Sequence, residues 1–308
     1  MKECFMKLVI FRSARLVFAF IAMSIAAQAQ SAESTRQANL ESLAATERAF
    51  AAETVKVGFR DGFIKYFADD GIGFGPHPQR TREELMKLPP STGPRRIMFN
   101  WAPMFGDVSD ADDLGYTTGP VLYTDLVDTA KPPRHAIYFS VWQKQADGTW
   151  KVVVDLGVDT PNAVAPIDTK FTAANAVGPR KPNPMKGTPD DDYRKLDWNL
   201  WGSIAKTSPA KAYGSHLDKQ FRVHRKGVMP ATTFAELAPL LNSATKFEII
   251  DGKIASSGEL AYTYGKYSSD FGQNVTEAGY YVHVWRRDAN SKWRLVVDVQ
   301  NPLPKTDK

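Results

Sequence analysis

Two carboxylates fall where helical spacing calls for apolar side chains. Over residues 40–50 the apolar positions are Leu40, Leu43 and Phe50, with Glu47 among them. Over residues 193–204 they are Tyr193, Leu196, Leu200 and Ile204, with Asp197 among them. An acid on an apolar helix face must be hydrogen-bonded or paired, and burial raises its pKa towards the range of a general acid or base. The same residues would also serve as structural acids holding backbone amides or an arginine of a sheet. Asp155 and Asp298 each end a Val-rich run. They could reach a pocket mouth or cap the chain reversals before Pro161 and Pro302. A pair such as Glu47 and Asp155 becomes chemically informative if both line one cavity, where like charges push one pKa up.

Tyrosines add a second set of candidates. Tyr116 and Tyr262 hold matching positions in strand-like runs, as do Tyr138 and Tyr281. A pocket tyrosine can donate to an oxyanion or orient a polar ligand, and it is also ordinary strand material. Trp101, two residues before Pro103, is the aromatic candidate for a pocket wall; Trp142, Trp150, Trp285 and Trp293 read as packing. The histidines are scattered. His77 follows Gly75-Pro76 on a loop, and His135 lies in a strand-like run. No HxH, HExxH or His/Cys set is present, so no metal is expected. No Gly-rich phosphate loop or Gly-x-Ser-x-Gly elbow occurs, so no cofactor is expected either.

The elements that would position these residues occur twice. Leu114–Gly119 (LGYTTG) matches Leu260–Gly265 (LAYTYG), and Val141–Asp155 matches Val284–Asp298 without a gap. Two tryptophans flank a polar turn in each copy, which is a β-hairpin signal. Thr81-x-x-Glu84 and Thr233-x-x-Glu236 each precede a leucine and predict capping boxes. Aligning Phe50 with Leu200 places Glu47 on Asp197. Each copy reads as a helix, short helices and an antiparallel meander, hence α+β by duplication.

Residues 1–29 read as a secretory signal peptide. Lys2, Lys7, Arg12 and Arg15 precede an apolar run to Ala27, and Ala27-Gln28-Ala29 supplies the small-x-small cleavage pattern. Its removal lowers the formal charge from +5 to about +2 and takes away the only cysteine, Cys4. Pro161–Asp190 has little hydrophobic periodicity, and residues 162–189 read as a Pro-rich linker between domains at 38–161 and 190–303. Acids and bases are interspersed without a basic stripe, which argues against nucleic acid. The clusters Arg222–Lys226 and Arg286-Arg287 read as solvated faces. No later run is long enough to span a membrane.

Glu47–Phe50, Trp101-Ala102-Pro103, Leu114–Gly119, Val141-Trp142 and Trp150–Gly157, with the second-half counterparts, resemble the nuclear transport factor 2-like superfamily, which includes ketosteroid isomerase and SnoaL-like cyclases. The resemblance is to its domain-of-unknown-function branch, in two tandem copies. It implies two cone-shaped domains, each a curved antiparallel sheet wrapped around helices with a pocket at the open end. Fold alone does not choose a function. Three classes stay open: a module binding a small, largely apolar molecule in one or both cones; a cofactor-free acid–base enzyme of isomerase, dehydratase or hydrolase type using a helix carboxylate; and a protein-interaction module in which the halves pack as an intramolecular pseudo-dimer. His77, His135, Trp101 and the Gly157 turn are private to the first half, so if only one half is active, the first is the expected one.

The expected location is periplasmic or secreted. N-terminal sequencing of the exported protein should find a mature chain beginning after Ala29, and a start before Ser24 would contradict the leader.

Overall fold

The computed structural model describes residues 34–90, 94–174, 192–242, 245–270, 272 and 276–304. The expected signal peptide (1–29) and the part of the expected linker beyond residue 174 lie outside the described residues. Two mixed α+β halves follow one another, each with its own sheet.

In the first half, α1 (34–57) leads through Gly58 into α2 (Phe59–Tyr66). Strands β1 (Phe67–Phe74) and β2 (Pro78–Arg80), helix α3 (Thr81–Met86), and strands β3 (Ile97–Trp101), β4 (Phe105–Val108), β5 (Leu114–Asp125), β6 (Arg134–Lys144), β7 (Trp150–Thr160) and β8 (Thr172–Ala173) complete it. The second half holds α4 (Arg194–Lys206), α5 (Pro209–His216), β9 (Leu217–Arg225), α6 (Phe234–Leu237), β10 (Lys246–Ile254), β11 (Leu260–Asp270), β12 (Thr276–Arg287) and β13 (Trp293–Pro302).

Strand orders are β2-β1-β7-β6-β5-β4-β8, with β3 also on β5, and β10-β11-β12-β13-β9. The expected antiparallel meander is present, with one addition. The strand after the second helix, β1 or β9, pairs parallel with the strand that closes the meander, β7 or β13. Periodicity missed it because β1 (FADDGIGF) and β9 (LDKQFRVHR) carry charges and little alternation.

The registers coincide between the halves. Ser140 faces Asp155 as His283 faces Asp298, and both hairpins carry an irregularity just before their tryptophan, at Val141/Trp142 and Val284/Trp285. Gly73 lies opposite Asp155 as Val223 lies opposite Asp298. The shared glycine of LGYTTG and LAYTYG has a steric cause. A Cβ at Gly119 would overlap the carbonyl oxygen of Ala102, and one at Gly265 that of Glu248.

Capping differs between the halves. Thr233 and Glu236 form the predicted box, whereas Thr81 is itself the first residue of α3, after an N-cap Arg80 with no side-chain cap bond. The Thr81 side chain instead occupies the space that a Cβ at Gly73 would need. The start of the linker is also structured: β8 extends the first sheet beside β4, and Phe171 is buried.

Each sheet covers its helices with one face. Leu40, Leu43 and Phe50 of α1 pack with Trp101, Tyr138 and Trp142, and Leu196 and Leu200 of α4 pack with Trp285 and Leu295. The other faces meet. Tyr116, Ile137, Phe139 and Val141 share one apolar cluster with Tyr262, Tyr264, Val282 and Val284. Polar links fasten the rim: Glu259 Oε1 accepts from the Asp110 amide at 2.7 Å, Asp113 Oδ2 from the Ser256 amide at 2.9 Å, and Lys253 Nζ donates to Gln143 Oε1 at 2.9 Å. Asp107, fully buried, pairs with Arg36 of the same half and Arg286 of the other.

A buried charge stripped of a partner is costly, and an exposed polar link contributes little. Arg286→Met should therefore destabilise the protein by about 3 kcal/mol in urea unfolding. Lys253→Ala should stay within about 0.5 kcal/mol. Equal effects would show that Asp107 does not tie the halves together.

Candidate functional site

The two helix acids occupy matching places and are satisfied differently. Glu47 is fully buried. Its Oε1 accepts from Trp101 Nε1 at 2.6 Å; its Oε2 accepts from Thr117 Oγ1 at 2.5 Å and Trp142 Nε1 at 2.9 Å. No cation enters that set. Burial raises the Glu47 carboxyl to about 7, with the three donors opposing and Asp155 adding to the rise. Asp155, with one edge open to solvent, accepts from Ser140 Oγ at 2.7 Å. Burial lifts it to about 6 against that single donor.

Asp197 is one carbon shorter than Glu47 and meets other partners. Tyr281 Oη donates to Oδ2 at 2.8 Å; Trp285 Nε1 donates to Oδ1 at 3.0 Å, and His283 Nδ1 lies 2.8 Å from the same oxygen. Trp285 matches Trp142, and His283 stands where the first half has Ser140. His283 Nε2 lies 3.6 Å from Asp298 Oδ1. Asp298 Oδ1 and Oδ2 accept from Arg225 Nη1 at 2.9 Å and Nη2 at 2.7 Å, and Oδ2 also accepts from Tyr213 Oη at 2.9 Å. Burial opposes the charge on His283, but Asp197 and Asp298 outweigh it and raise the imidazolium to about 9. Burial likewise disfavours the Asp298 carboxylate, yet Arg225 and His283 hold it well below the usual range. Matching aspartates thus shift in opposite directions, because the registers put Phe63 and Gly75 where the second half has Tyr213 and Arg225.

Tyr213 and Arg225 also line a cavity of about 460 Å³ at the end of the second sheet, with Ile204, Pro209, Leu240, Leu241, Thr245, Phe247, Ser269 and Gln300. The same place in the first half is filled by rings. Phe59 and Phe63 lie 4.0 Å apart between centroids, Phe99 stacks on Tyr123 at 4.9 Å, and Phe99 lies 4.7 Å from Trp101. Helices α2 and α5 are both eight residues long and run directly into a strand, so Phe59 matches Pro209 and Phe63 matches Tyr213. Counting from Gly119 and Gly265 along the paired strands, Trp101 matches Phe247 and Tyr123 matches Ser269. Thr245 Oγ1, 2.7 Å from Ser269 Oγ, stands where Phe99 packs on Tyr123. Three rings are thus exchanged for proline, threonine and serine, and that exchange leaves the cavity open.

Several sequence candidates lie elsewhere. Glu47, Asp155, Asp197 and Asp298 do not line the cavity; Asp298 lies directly behind it, held by two lining residues. Trp101 is a core donor to Glu47 and not an exposed wall. Tyr116 and Tyr262 sit on the outer faces, in the cluster between the sheets. Tyr138 is buried over α1, and Tyr281 serves Asp197. His135, half-buried on β6, lies opposite Leu122 of β5 and Thr160 of β7, and His77 Nδ1 lies 2.8 Å from Tyr280 Oη across the halves. The cluster Arg222–Lys226 is not a solvated face: His224 is buried, Arg225 is paired with Asp298, and Arg222 lies over the Phe105 ring at 3.9 Å. Arg286 is likewise buried. The 460 Å³ cavity lies in the second half.

No protein-family model matches this sequence, and no curated protein does. Solved structures resemble part of it. A putative ketosteroid isomerase from Shewanella frigidimarina NCIMB 400 is 11% identical, covering 36% of this chain and 96% of its own, with a TM-score of 0.30. A nuclear transport factor 2-like protein of unknown function in nutrient uptake from Rhodospirillum rubrum ATCC 11170 is 18% identical, covering 37% and 100%, with a TM-score of 0.30. A conserved protein from Planctomyces limnophilus DSM 3776 is 15% identical, covering 36% and 94%, with a TM-score of 0.29.

Glu47 and His283 make stability pH-dependent in two windows. Both groups have folded pKa values above their unfolded ones, so each contributes stability at low pH that is lost as pH rises. For Glu47 the loss runs from about 4.5 to about 7, and for His283 from about 6.5 to about 9. Urea unfolding between pH 6.5 and 9 should show a fall on the order of 3 kcal/mol, largely absent in His283→Gln. An unchanged slope in the variant would show that His283 is not charged in the fold.

Proposed function

We propose that this chain is an exported, periplasmic or secreted binding protein. It is built from tandem copies of one cone-shaped α+β domain, 38–161 and 190–303, packed sheet to sheet as an intramolecular pseudo-dimer. The second domain binds a small, largely apolar molecule in its cavity, and the first is closed by its aromatic stack. The exchange of Phe59, Phe99 and Tyr123 for Pro209, Thr245 and Ser269 carries this reading. Ile204, Pro209, Leu240, Leu241 and Phe247 give the cavity an apolar wall for such a molecule, and polar side chains line the rest and can orient it. Matching strand registers and the meeting of outer faces support the duplication. Helix-carboxylate catalysis is less well supported, because Glu47 and Asp197 are fully buried, each with three partners, and away from the cavity.

A panel of neutral apolar compounds tests the reading by thermal shift on the full-length protein. A binder present at a hundredfold excess over its Kd should stabilise by about 2.7 kcal/mol. Thr245→Phe combined with Ser269→Tyr should restore the ring stack and abolish the shift. Phe247→Ala should weaken binding about tenfold, through loss of an aromatic wall. Silence of the wild type across the panel would refute the binding role, and full binding by the double variant would move the site elsewhere.

A further inference from the structure

The guanidinium of Arg225 carries two planar edges, each able to hold a pair of acceptors. The Nη1–Nη2 edge is committed to Asp298, and Nη1 also donates to the carbonyls of His224 at 3.0 Å and Asp298 at 3.1 Å. The second edge, Nε–H with the remaining Nη2–H, takes no partner among the described residues. Arg225 lines the cavity with its side chain 13% exposed. Tyr213 beside it donates its proton to Asp298, which leaves the phenol oxygen free to accept.

Charge around this edge is arranged for an incoming anion. Behind the wall, Asp197 and Asp298 are balanced by His283 and Arg225, so the cluster does not repel one. Lys226 lines the same cavity and adds a positive charge. The lining carboxylates Asp270 and Glu277 belong to β11 and β12, with β13 standing between them and the β9 end that carries Arg225. Glu277 is occupied by Tyr267 Oη at 2.7 Å. The cavity is therefore polar and cationic on the β9 side and apolar along Ile204, Leu240, Leu241 and Phe247.

We infer that the ligand is an apolar monocarboxylate, its two oxygens on the Nε–Nη2 edge of Arg225 and its body along Leu240, Leu241 and Phe247. The inference rests on the second-domain cavity being the binding site, and it adds the headgroup. Arg225 is then a shared cation, fixed by Asp298 in the orientation that presents its free edge.

Isothermal titration of the full-length protein with decanoate, methyl decanoate and decanol at neutral pH tests it. A charge-assisted pair of hydrogen bonds should make the acid bind about tenfold tighter than either neutral compound. Arg225→Lys keeps the charge, removes the fork and should erase most of that preference. Because this change also disturbs Asp298, Lys226→Gln is the second variant. It should weaken decanoate severalfold at low salt and leave the ester unchanged. Equal affinity for acid and ester, tighter binding of decylamine, or no binding of decanoate each overturns the carboxylate assignment. The neutral panel then separates the two readings: if it still binds, the cavity stands without the headgroup, and if it is silent, both fall.

Discussion

A carboxylate enclosed by a helix and a curved sheet is the constraint on which both halves turn. Each half places one acid on its first helix and a second at the matching position of the strand that closes its meander, β7 or β13. Water cannot solvate the helix acid, so the surrounding strands must. That requirement dictates which residues the inner sheet face can carry. Trp142 and Trp285 are held at the same register because an indole N–H reaches the helix acid from there. The strand irregularity just before each tryptophan accompanies that placement.

From that common plan the halves diverge by charge. The first satisfies its acids with neutral donors, Glu47 by Trp101, Thr117 and Trp142 and Asp155 by Ser140, a state that favours the neutral carboxyl. The second shortens the helix acid, exchanges serine for histidine and brings in an arginine and a tyrosine. Two negative and two positive groups then balance within one buried cluster. The ionic solution is costlier to assemble, because four charges must leave water and each depends on the others. It also leaves something the first half lacks: a guanidinium fixed at the edge of a cavity with donors to spare. The ring stack and the open cavity diverge in parallel, large aromatics in the first half standing against proline, threonine and serine in the second.

The fold was largely legible in the sequence and the site only partly. Repeated LxYTxG and VW…W…VVD segments predicted the paired sheets because their spacing is fixed by strand register and by glycines that face a carbonyl oxygen. The helix acids were legible because one charged residue breaks an otherwise apolar period. The parallel strand β9 was not, since its buried charges mimic a solvated segment; RVHR reads as surface until Asp298 is known to lie across from Val223. Tyr116 and Tyr262 misled for a related reason. Alternation tells that a strand has two faces, but when both are buried it does not tell which meets the helices. Loss of rings at Pro209, Thr245 and Ser269 carries no motif at all. It becomes visible only when the two halves are compared position by position.

That comparison also shows what the features private to the first half do. Trp101 and His77 are distinctive in the first half because they close it: one bonds the buried acid, and the other reaches Tyr280 across the interface. Where two similar halves pack together, one can supply rigidity while the other gives up packing to form a cavity. A cavity lined by a fixed ion pair forgoes the apolar contacts that would otherwise fill it, and such losses are usually destabilising. The first half, with its filled aromatic core and its share of the sheet-to-sheet cluster, provides the surface against which the second can remain open. The burial of Asp107 between Arg36 and Arg286 is where that support is most directly transmitted, since one carboxylate ties the first helix of the closed half to the sheet that ends in the open one.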